Sequence, residues 1–319
     1  MLRYFALRLL RWIPGVLLLL LFVYAMMFYG AGDPVKLMFL NEAGDVAWDT
    51  EQIEAIRSDL GLDRPFFVQF GEYVWNLMNG DLGQSLTQNR SVNSMLASTV
   101  PITAQIALAA LVIIAGLGIP LGVLAALNQN GWIDNMILGG ALFVWSIPTF
   151  VAAPLLMVLL CLQLAILPVP RGWDGVFTIN AIIPLFVASF RPMGIVIRQT
   201  RASVIEVLAE DYIRTARSKG IPEHVTILKH ALRPVMTPVI TQMGLVMSNL
   251  LAGSLFLEIV FGIPGIGRLL KVSITDSDYS VMMGCVLVIL AMVTLTNMLV
   301  DLAYPMLDPR LRSAQRGDE

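Results

Sequence analysis

The chain contains few charged residues and few cysteines, and both features restrict the classes of protein to which it can belong. Of its 319 residues, 14% are charged and 57% are hydrophobic, whereas a soluble domain is about 25% charged and about 45–50% apolar. That balance argues against a soluble globular enzyme, and it is the opposite of the bias that disorder requires. The two cysteines, Cys161 and Cys285, lie in apolar runs, so we expect neither a disulfide framework nor a cysteine-based metal site.

The chain also has no excess of basic residues over acidic ones. The formal net charge is −2, which leaves no overall positive field for nucleic acid as a partner. No Gly-Lys-Ser or Gly-Lys-Thr sequence occurs, so the chain has no Walker-type loop with which to hydrolyse a nucleotide. The glycine-rich stretch at 262–267 lacks the lysine, and we interpret it as a tight turn.

The chain also lacks the ionisable residues that transport or catalysis inside a membrane would need. The interiors of the apolar runs contain no lysine, aspartate or glutamate, where a proton- or sodium-coupled carrier usually places them. The two histidines, His224 and His230, lie in a basic loop outside any His-Glu-x-x-His motif, which favours solvated helix residues over ligands or bases. We therefore predict that the chain is not an enzyme, with no catalytic residue, no metal site and no cofactor of its own.

What the chain does contain is a series of apolar runs, each near the length of about 20 residues that a spanning helix needs. The runs lie at 12–30, 101–127, 136–160, 179–197, 237–257 and 281–304. They predict an all-α polytopic membrane protein with six transmembrane helices. The first run is too long for a signal peptide and has no convincing cleavage site, so we interpret it as an anchor.

Two local features of these runs bear on helix packing. Prolines lie within or near several of them, Pro148 among them, and membrane helices tolerate proline when neighbours satisfy the freed carbonyls. Gly118 and Gly122 form a small-xxx-small pair, which is suited to close contact between helices.

Composition divides the chain into four segments. These are a tail with the first transmembrane helix (1–30), a small helical extracytoplasmic insertion (31–98), a core of five transmembrane helices (99–304) and a second tail (305–319). The insertion carries ten acidic residues against four basic ones. Short helices are expected at 49–60, where Asp49 and Gln52 resemble a capping box, and at 65–78, where Pro65 suits a helix start.

The positions of lysine and arginine set the orientation, because short cytoplasmic loops are enriched in both. Three groups are basic: Arg3, Arg8 and Arg11; the loop at 198–236, with seven bases; and Arg310, Arg312 and Arg316. With six spans all three groups fall on one side, so both tails and this loop are predicted to be cytoplasmic and the insertion to be outside. The loop at 128–134 falls on the cytoplasmic side without a base and is the exception.

The loop at 198–236 has the pattern of a helix–turn–helix. A helix is predicted over Gln199–Arg217, Gly220 can end it, and Pro222 can begin the next one. The expected apolar stripes are Val204, Leu208, Tyr212 and Ala216 in the first helix, and Val225, Leu228, Leu232 and Val235 in the second. Such a hairpin either lies on lipid headgroups or receives a cytoplasmic partner. The missing energy source favours the partner.

Several motifs in a fixed order now identify a family. They are Gly32-Asp33-Pro34, the stretches at 60–65 and 80–86, Asp211–Gly220, His230–Arg233 with Pro238, Glu258–Arg268, and Asp301, Tyr304 and Leu307–Arg310. Together they resemble the inner-membrane permease subunits of dipeptide, oligopeptide and nickel ABC importers. The resemblance covers essentially the whole chain, and the long insertion after the first span is similar to the first permease of such pairs.

The resemblance implies that the region 210–234 couples the permease to an ATPase through a short helix at about Arg217–Glu223. The residues carried over to this role are Asp211, Tyr212, Thr215, Ala216, Arg217, Lys219, Gly220, Ile221, Pro222 and Glu223. The chain departs from the wider importer signature at Arg214, where that signature has glutamate, and at Arg233-Pro234, where Arg-Asn is usual. The second departure predicts a kinked or displaced start of the following span.

The resemblance also implies the partners and the setting. These are a second homologous permease, two ATPase subunits that hold ATP and Mg²⁺, an extracytoplasmic solute-binding protein facing the acidic insertion, and the lipid of a prokaryotic inner membrane. The chain would form half of a pathway for di- or oligopeptides. Nickel chelates, opines and oligosaccharides remain alternative substrates, and a membrane scaffold without transport remains an alternative function.

Two charged residues are candidates for the pathway or for an interface. Arg191 lies about two turns from the cytoplasmic end of the predicted fourth span, where it either lines the pathway or snorkels to the headgroups. Glu258 lies near the end of the fifth span.

Overall fold

The computed structural model describes residues 2–30, 50–59, 61 and 63–307, and their regular structure is helical. The helices are α1 (Leu2–Gly30), α2 (Thr50–Asp59), α3 (Phe66–Met78), α4 (Val92–Ile113), α5 (Ile119–Leu127), α6 (Trp132–Ser146), α7 (Thr149–Met157), α8 (Ile182–Leu208), α9 (Asp211–Ser218), α10 (Glu223–Val225), α11 (Leu232–Gly253), α12 (Leu255–Val260), α13 (Ile266–Thr275) and α14 (Tyr279–Leu307). π-helical segments join α4 to α5 (Ile114–Gly118), extend α7 (Val158–Gln163) and join α10 to α11 (Thr226–Ala231).

Within the described residues, five helical stretches are long and apolar enough to cross a membrane. They are Ile13–Gly30, Val92–Leu127, Ile179–Leu208, Glu223–Gly253 and Tyr279–Ala303. A sixth candidate is a pair of helices, Trp132–Ser146 and Thr149–Gln163, bent by 95° at the break between them. The predicted number of six spans is therefore reached when the bent pair counts as one.

The bend has a local cause at Ile147–Pro148. Ile147 is extended, with φ −88° and ψ 117°, as expected for a residue that proline's ring keeps out of the helical region. Pro148 also has no N–H to donate to the preceding turn. The predicted span over 136–160 thus contains a sharp break, where the sequence indicated a tolerated proline.

The chain divides into two compact units, Met1–Pro101 with Gly265–Ala291, and Ile102–Pro264 with Met292–Glu319. In the first unit, α3 packs on α1 through aromatic rings. Tyr24 lies 5.6 Å from Phe70 and 5.9 Å from Tyr73 between ring centroids. Burial raises the pKa of Tyr73 to about 12.

Both predicted helices of the insertion are confirmed, as α2 and α3. The proposed cap at Asp49, the Gly32-Asp33-Pro34 motif and the basic residues after Leu307 lie outside the described residues.

The second unit is built around α8, which packs against α5, α6, α7 and α11. Its closest neighbour is α5 at Gly122. A Cβ atom on Gly122 would lie 2.6 Å from Cβ of Thr200 and 2.8 Å from the carbonyl oxygen of Ile197. The predicted role of the Gly118 and Gly122 pair in close helix contact is confirmed, since Gly118 faces Val196 on the same helix.

Candidate coupling hairpin and transport cavity

The hairpin at residues 211–225, here called the exposed hairpin, begins at a break in the helix. α8 ends at Leu208, and Glu210 is extended, with φ −67° and ψ 146°, before α9 starts at Asp211. The predicted continuous helix over Gln199–Arg217 is therefore wrong. An extended residue cannot continue the hydrogen-bond ladder, so α9 starts with a new orientation.

The turn of the exposed hairpin is a Schellman motif. The N–H of Gly220 donates to the carbonyl of Arg217 at 2.9 Å, and the N–H of Ile221 donates to that of Ala216 at 3.3 Å. Gly220 has a φ of +74°, a left-handed conformation that costs glycine little. Pro222 then precedes α10, so the predicted stop at Gly220 and restart at Pro222 are confirmed. The short helix predicted at about Arg217–Glu223 is wrong, because α9 ends at Ser218 and residues 219–222 form the turn before α10.

An ion pair between two side chains also spans the turn. The Arg217 guanidinium donates from Nη2 to Oε1 of Glu223 at 2.6 Å and from Nε to Oε2 at 3.1 Å. This bidentate geometry fixes the relative direction of α9 and α10. The hydrogen bonds raise the pKa of Arg217, so the pair is charged at every physiological pH.

The face of α9 that packs on the protein differs from the predicted stripe. Ile213 and Ala216 are buried, whereas Tyr212 has 45% of its surface exposed. The break before Asp211 is the reason, because it removes the periodicity that would have aligned Tyr212 with Val204 and Leu208.

The other predicted coupling residues are mostly at the surface. Asp211, Thr215, Arg217, Lys219, Gly220, Pro222 and Glu223 are exposed, and Ile221 is half-buried.

The second predicted stripe also fails at one position. Leu228 is 66% exposed, while Thr226, Ala231 and Val235 are buried. The π-helical segment Thr226–Ala231 widens the turn by one residue, which rotates the inward face relative to an α-helix. This segment lies just before Pro234, where the departure from the family pattern predicted an altered start of the span.

Elsewhere in the second unit, a buried ion pair ties α6 to α8. Arg201 donates from Nε and Nη2 to the two carboxylate oxygens of Asp134, both at 2.6 Å. Asp134 is 1% exposed and also accepts the N–H of Asn130 at 2.8 Å. Sequence reasoning missed this pair. The one signal was the loop at 128–134 without a base, and Arg201 supplies that base from 67 residues away.

Arg191 lines a cavity of about 470 Å³ between α6, α8 and α11. Its guanidinium carbon lies 5.8 Å from the ring centroid of Trp145, and that of Arg198 lies 5.6 Å from the same ring. Both distances are within the range of a cation–π interaction. Arg191 therefore lies in the wall of a cavity, and its role in the pathway stays a prediction.

Glu258 lies in α12 and is fully buried within its unit. Its Oε1 accepts hydrogen bonds from the hydroxyls of Thr103 at 2.7 Å and Ser254 at 2.8 Å. These bonds join α12 to α4. Glu258 thus ties helices together, whereas the neighbouring Ser254 reaches the cavity wall.

Comparison with known proteins places this geometry in context. Residues 118–313 match the family described as "Binding-protein-dependent transport system inner membrane component". Residues 1–107 match the family of N-terminal segments of such membrane components. Together the two matches cover nearly the whole chain.

Individual relatives agree with the family matches. The chain is 34% identical over 328 residues to the dipeptide transport system permease protein of Escherichia coli K12, covering 94% of this chain and 96% of that protein. It is 37% identical over 312 residues to the glutathione transport system permease protein of Pectobacterium atrosepticum, covering 98% and 99%.

A solved structure shares the fold. An inward-facing structure of the MetNI methionine ABC transporter superposes with a TM-score of 0.54 at 14% identity, covering 67% of this chain and 96% of that chain.

Proposed function

The chain belongs to the inner-membrane components of binding-protein-dependent transport systems, and we propose that it forms half of a peptide pathway whose energy enters through the exposed hairpin. It is a permease subunit of a binding-protein-dependent ABC importer. Peptide is the proposed substrate because the relatives are named for peptides and glutathione. ATPase and binding-protein partners follow from the family. The second homologous permease and the two ATPases with ATP and Mg²⁺ are proposed.

The observation that carries the coupling role is the construction of the exposed hairpin. Buried Ile213 and Ala216 anchor it, while the Schellman turn and the Arg217–Glu223 pair constrain the direction of its turn. A rigid element that projects a polar surface can transmit a displacement, whereas a flexible loop would absorb it. In the proposed cycle, ATP binding closes the ATPase pair, the hairpin moves with it, and the spans open outward to accept substrate.

A reconstituted importer tests this proposal. The chain, its permease partner, both ATPases and the binding protein are placed in proteoliposomes, and ATP-dependent uptake of a labelled dipeptide is measured. Gly220→Val distorts the turn, because a β-branched residue is strained at a φ of +74°. We expect it to abolish uptake and the ATP hydrolysis that the loaded binding protein stimulates.

Gly172→Val is the matched control, since Gly172 has a φ of +73° and equal room for a side chain but lies far from the hairpin in sequence. It carries the same backbone strain and should keep coupled uptake. Normal coupling in a folded Gly220→Val importer, or ATP hydrolysis by the purified chain alone, would contradict the coupling role. A wild-type importer without peptide uptake would contradict the substrate.

A further inference from the structure

The cavity beside Arg191 has an unusual charge balance for a space inside a membrane protein. Among the lining residues that the structure describes, Arg191 is the one that is ionisable, and most of the wall is apolar. Neither Arg191 nor Arg198 forms an ion pair with a carboxylate among the residues that the structure describes. A guanidinium without a counter-ion at membrane depth is costly, and such residues mark substrate or ion pathways.

The position of Arg191 is set by its neighbours. Trp145 also lines the cavity, and its ring lies within cation–π distance of the guanidinium. An aromatic contact of this kind orients the planar group but leaves its N–H donors free to bind an anion. Five donors in a fixed plane match the two oxygens of a carboxylate.

The cavity wall also offers amide groups. Gln242 and Asn249 both line the cavity, and seven residues apart on α11 they share one face of the helix. Each side chain carries both a donor and an acceptor, as a peptide bond does. The cavity thus combines one cation with amide partners, which is the complement of the end of a peptide with a free carboxylate.

We propose that Arg191 binds a carboxylate of the transported molecule while Gln242 and Asn249 form hydrogen bonds with its amide groups. This assignment rests on the proposed transport of peptides, and it names the feature of the peptide that the permease itself contacts. It predicts that the permease contributes to selection after the binding protein has released its cargo.

The test is a double-mutant cycle between Arg191 and the substrate carboxylate. Initial uptake of labelled alanyl-phenylalanine and of its carboxamide is measured in proteoliposomes with the complete importer, for wild type and for Arg191→Gln. The preference of the binding protein cancels, because the same binding protein serves both permeases. We expect Arg191→Gln to lower the acid-to-amide uptake ratio about tenfold, the loss typical of a hydrogen bond to a charged group.

Two further variants sharpen the result. Arg191→Lys keeps the charge without the planar fork, and it should restore part of the ratio. Arg198→Gln removes the other guanidinium beside Trp145 but lies outside the cavity lining, so its ratio should equal that of wild type. ATP hydrolysis stimulated by the loaded binding protein should be similar in all four importers, which confirms their folding.

The outcomes separate the two proposals. An unchanged ratio in Arg191→Gln, or an equal fall in Arg198→Gln, would overturn the carboxylate site while peptide transport stands. A wild-type importer that accumulates neither compound would overturn the proposed substrate, and the carboxylate site with it.

Discussion

At the scale of single residues, the pair formed by Asp134 and Arg201 ties α6 to α8 through two buried charges. Asp134 is buried, and both of its oxygens are occupied by Arg201 and by the N–H of Asn130. Such a pair adds little net stability, because desolvation of the two charges offsets their attraction. The pair affects stability chiefly when one partner is removed, because the other partner is then left as an uncompensated buried charge.

Arg201→Ala is therefore expected to lower the free energy of unfolding by about 3 kcal/mol, near the lower end for a broken buried pair because Arg201 is 21% exposed. Denaturant unfolding of the purified chain in detergent measures this change. Arg214→Ala serves as the control, since its pair with Asp211 is long, at 3.5 Å, and highly exposed, and is worth less than about 1 kcal/mol. Equal losses in the two variants would show that the Asp134 carboxylate is not isolated from water.

At the scale of helices, the contact between α5 and α8 depends on one missing side chain. Gly122→Ala would place a methyl group 2.8 Å from the Ile197 carbonyl oxygen, and backbone cannot move aside as a flexible side chain can. The two helices must separate, and overpacking of this kind costs about 1–3 kcal/mol. The loss is measurable as a lower midpoint of thermal unfolding.

Gly116→Ala provides the comparison on the same helical stretch. Nothing lies within 4 Å of its added Cβ, so the substitution should leave stability unchanged or raise it slightly, as alanine is the better helix former. A Gly122→Ala chain as stable as Gly116→Ala would mean that α5 and α8 have room to adjust.

Sequence patterns predicted the elements well where a residue type itself forces the structure. Gly220 marks the turn of the exposed hairpin because glycine adopts a positive φ at little cost. Pro222 and Pro65 mark helix starts because proline has a fixed φ and no N–H to donate. The break at Ala209–Glu210 has no glycine or proline to announce it. The stripe through Leu228 failed for a related reason: a helical stripe assumes a constant period, and the π-helical segment changes that period.

The candidate site was predictable in part for the same reasons. The exposed hairpin is contiguous in sequence, so its charges and turn residues could be read directly. The pair of Asp134 with Arg201, and the cavity that joins Arg191 to Gln242, bring together residues from separate helices. Apart from the missing base in the loop at 128–134, the sequence holds no signal for such a meeting, because either partner alone is compatible with a solvated surface.

At the scale of the whole molecule, α8 connects the features to which the proposed function assigns a role in transport. Its 27 residues extend over about 40 Å at the rise of an α-helix. It carries Arg191 at the cavity and Arg201 at the buried pair, and it ends just before the exposed hairpin. If the hairpin couples as proposed, its displacement would therefore reach the cavity along this one helix.

This arrangement requires that the two ends of α8 lie on opposite sides of the membrane, with the hairpin in the cytoplasm, as the distribution of basic residues predicts. Single cysteines at Arg171 and Lys219, both exposed, report the two sides in a chain whose Cys161 and Cys285 are replaced by alanine. In intact spheroplasts, we expect a membrane-impermeant maleimide to label Arg171→Cys but not Lys219→Cys. Permeabilisation should make Lys219→Cys reactive, because the hairpin is then open to the reagent. Labelling of Lys219→Cys in sealed cells would reverse the orientation and separate the hairpin from any cytoplasmic ATPase.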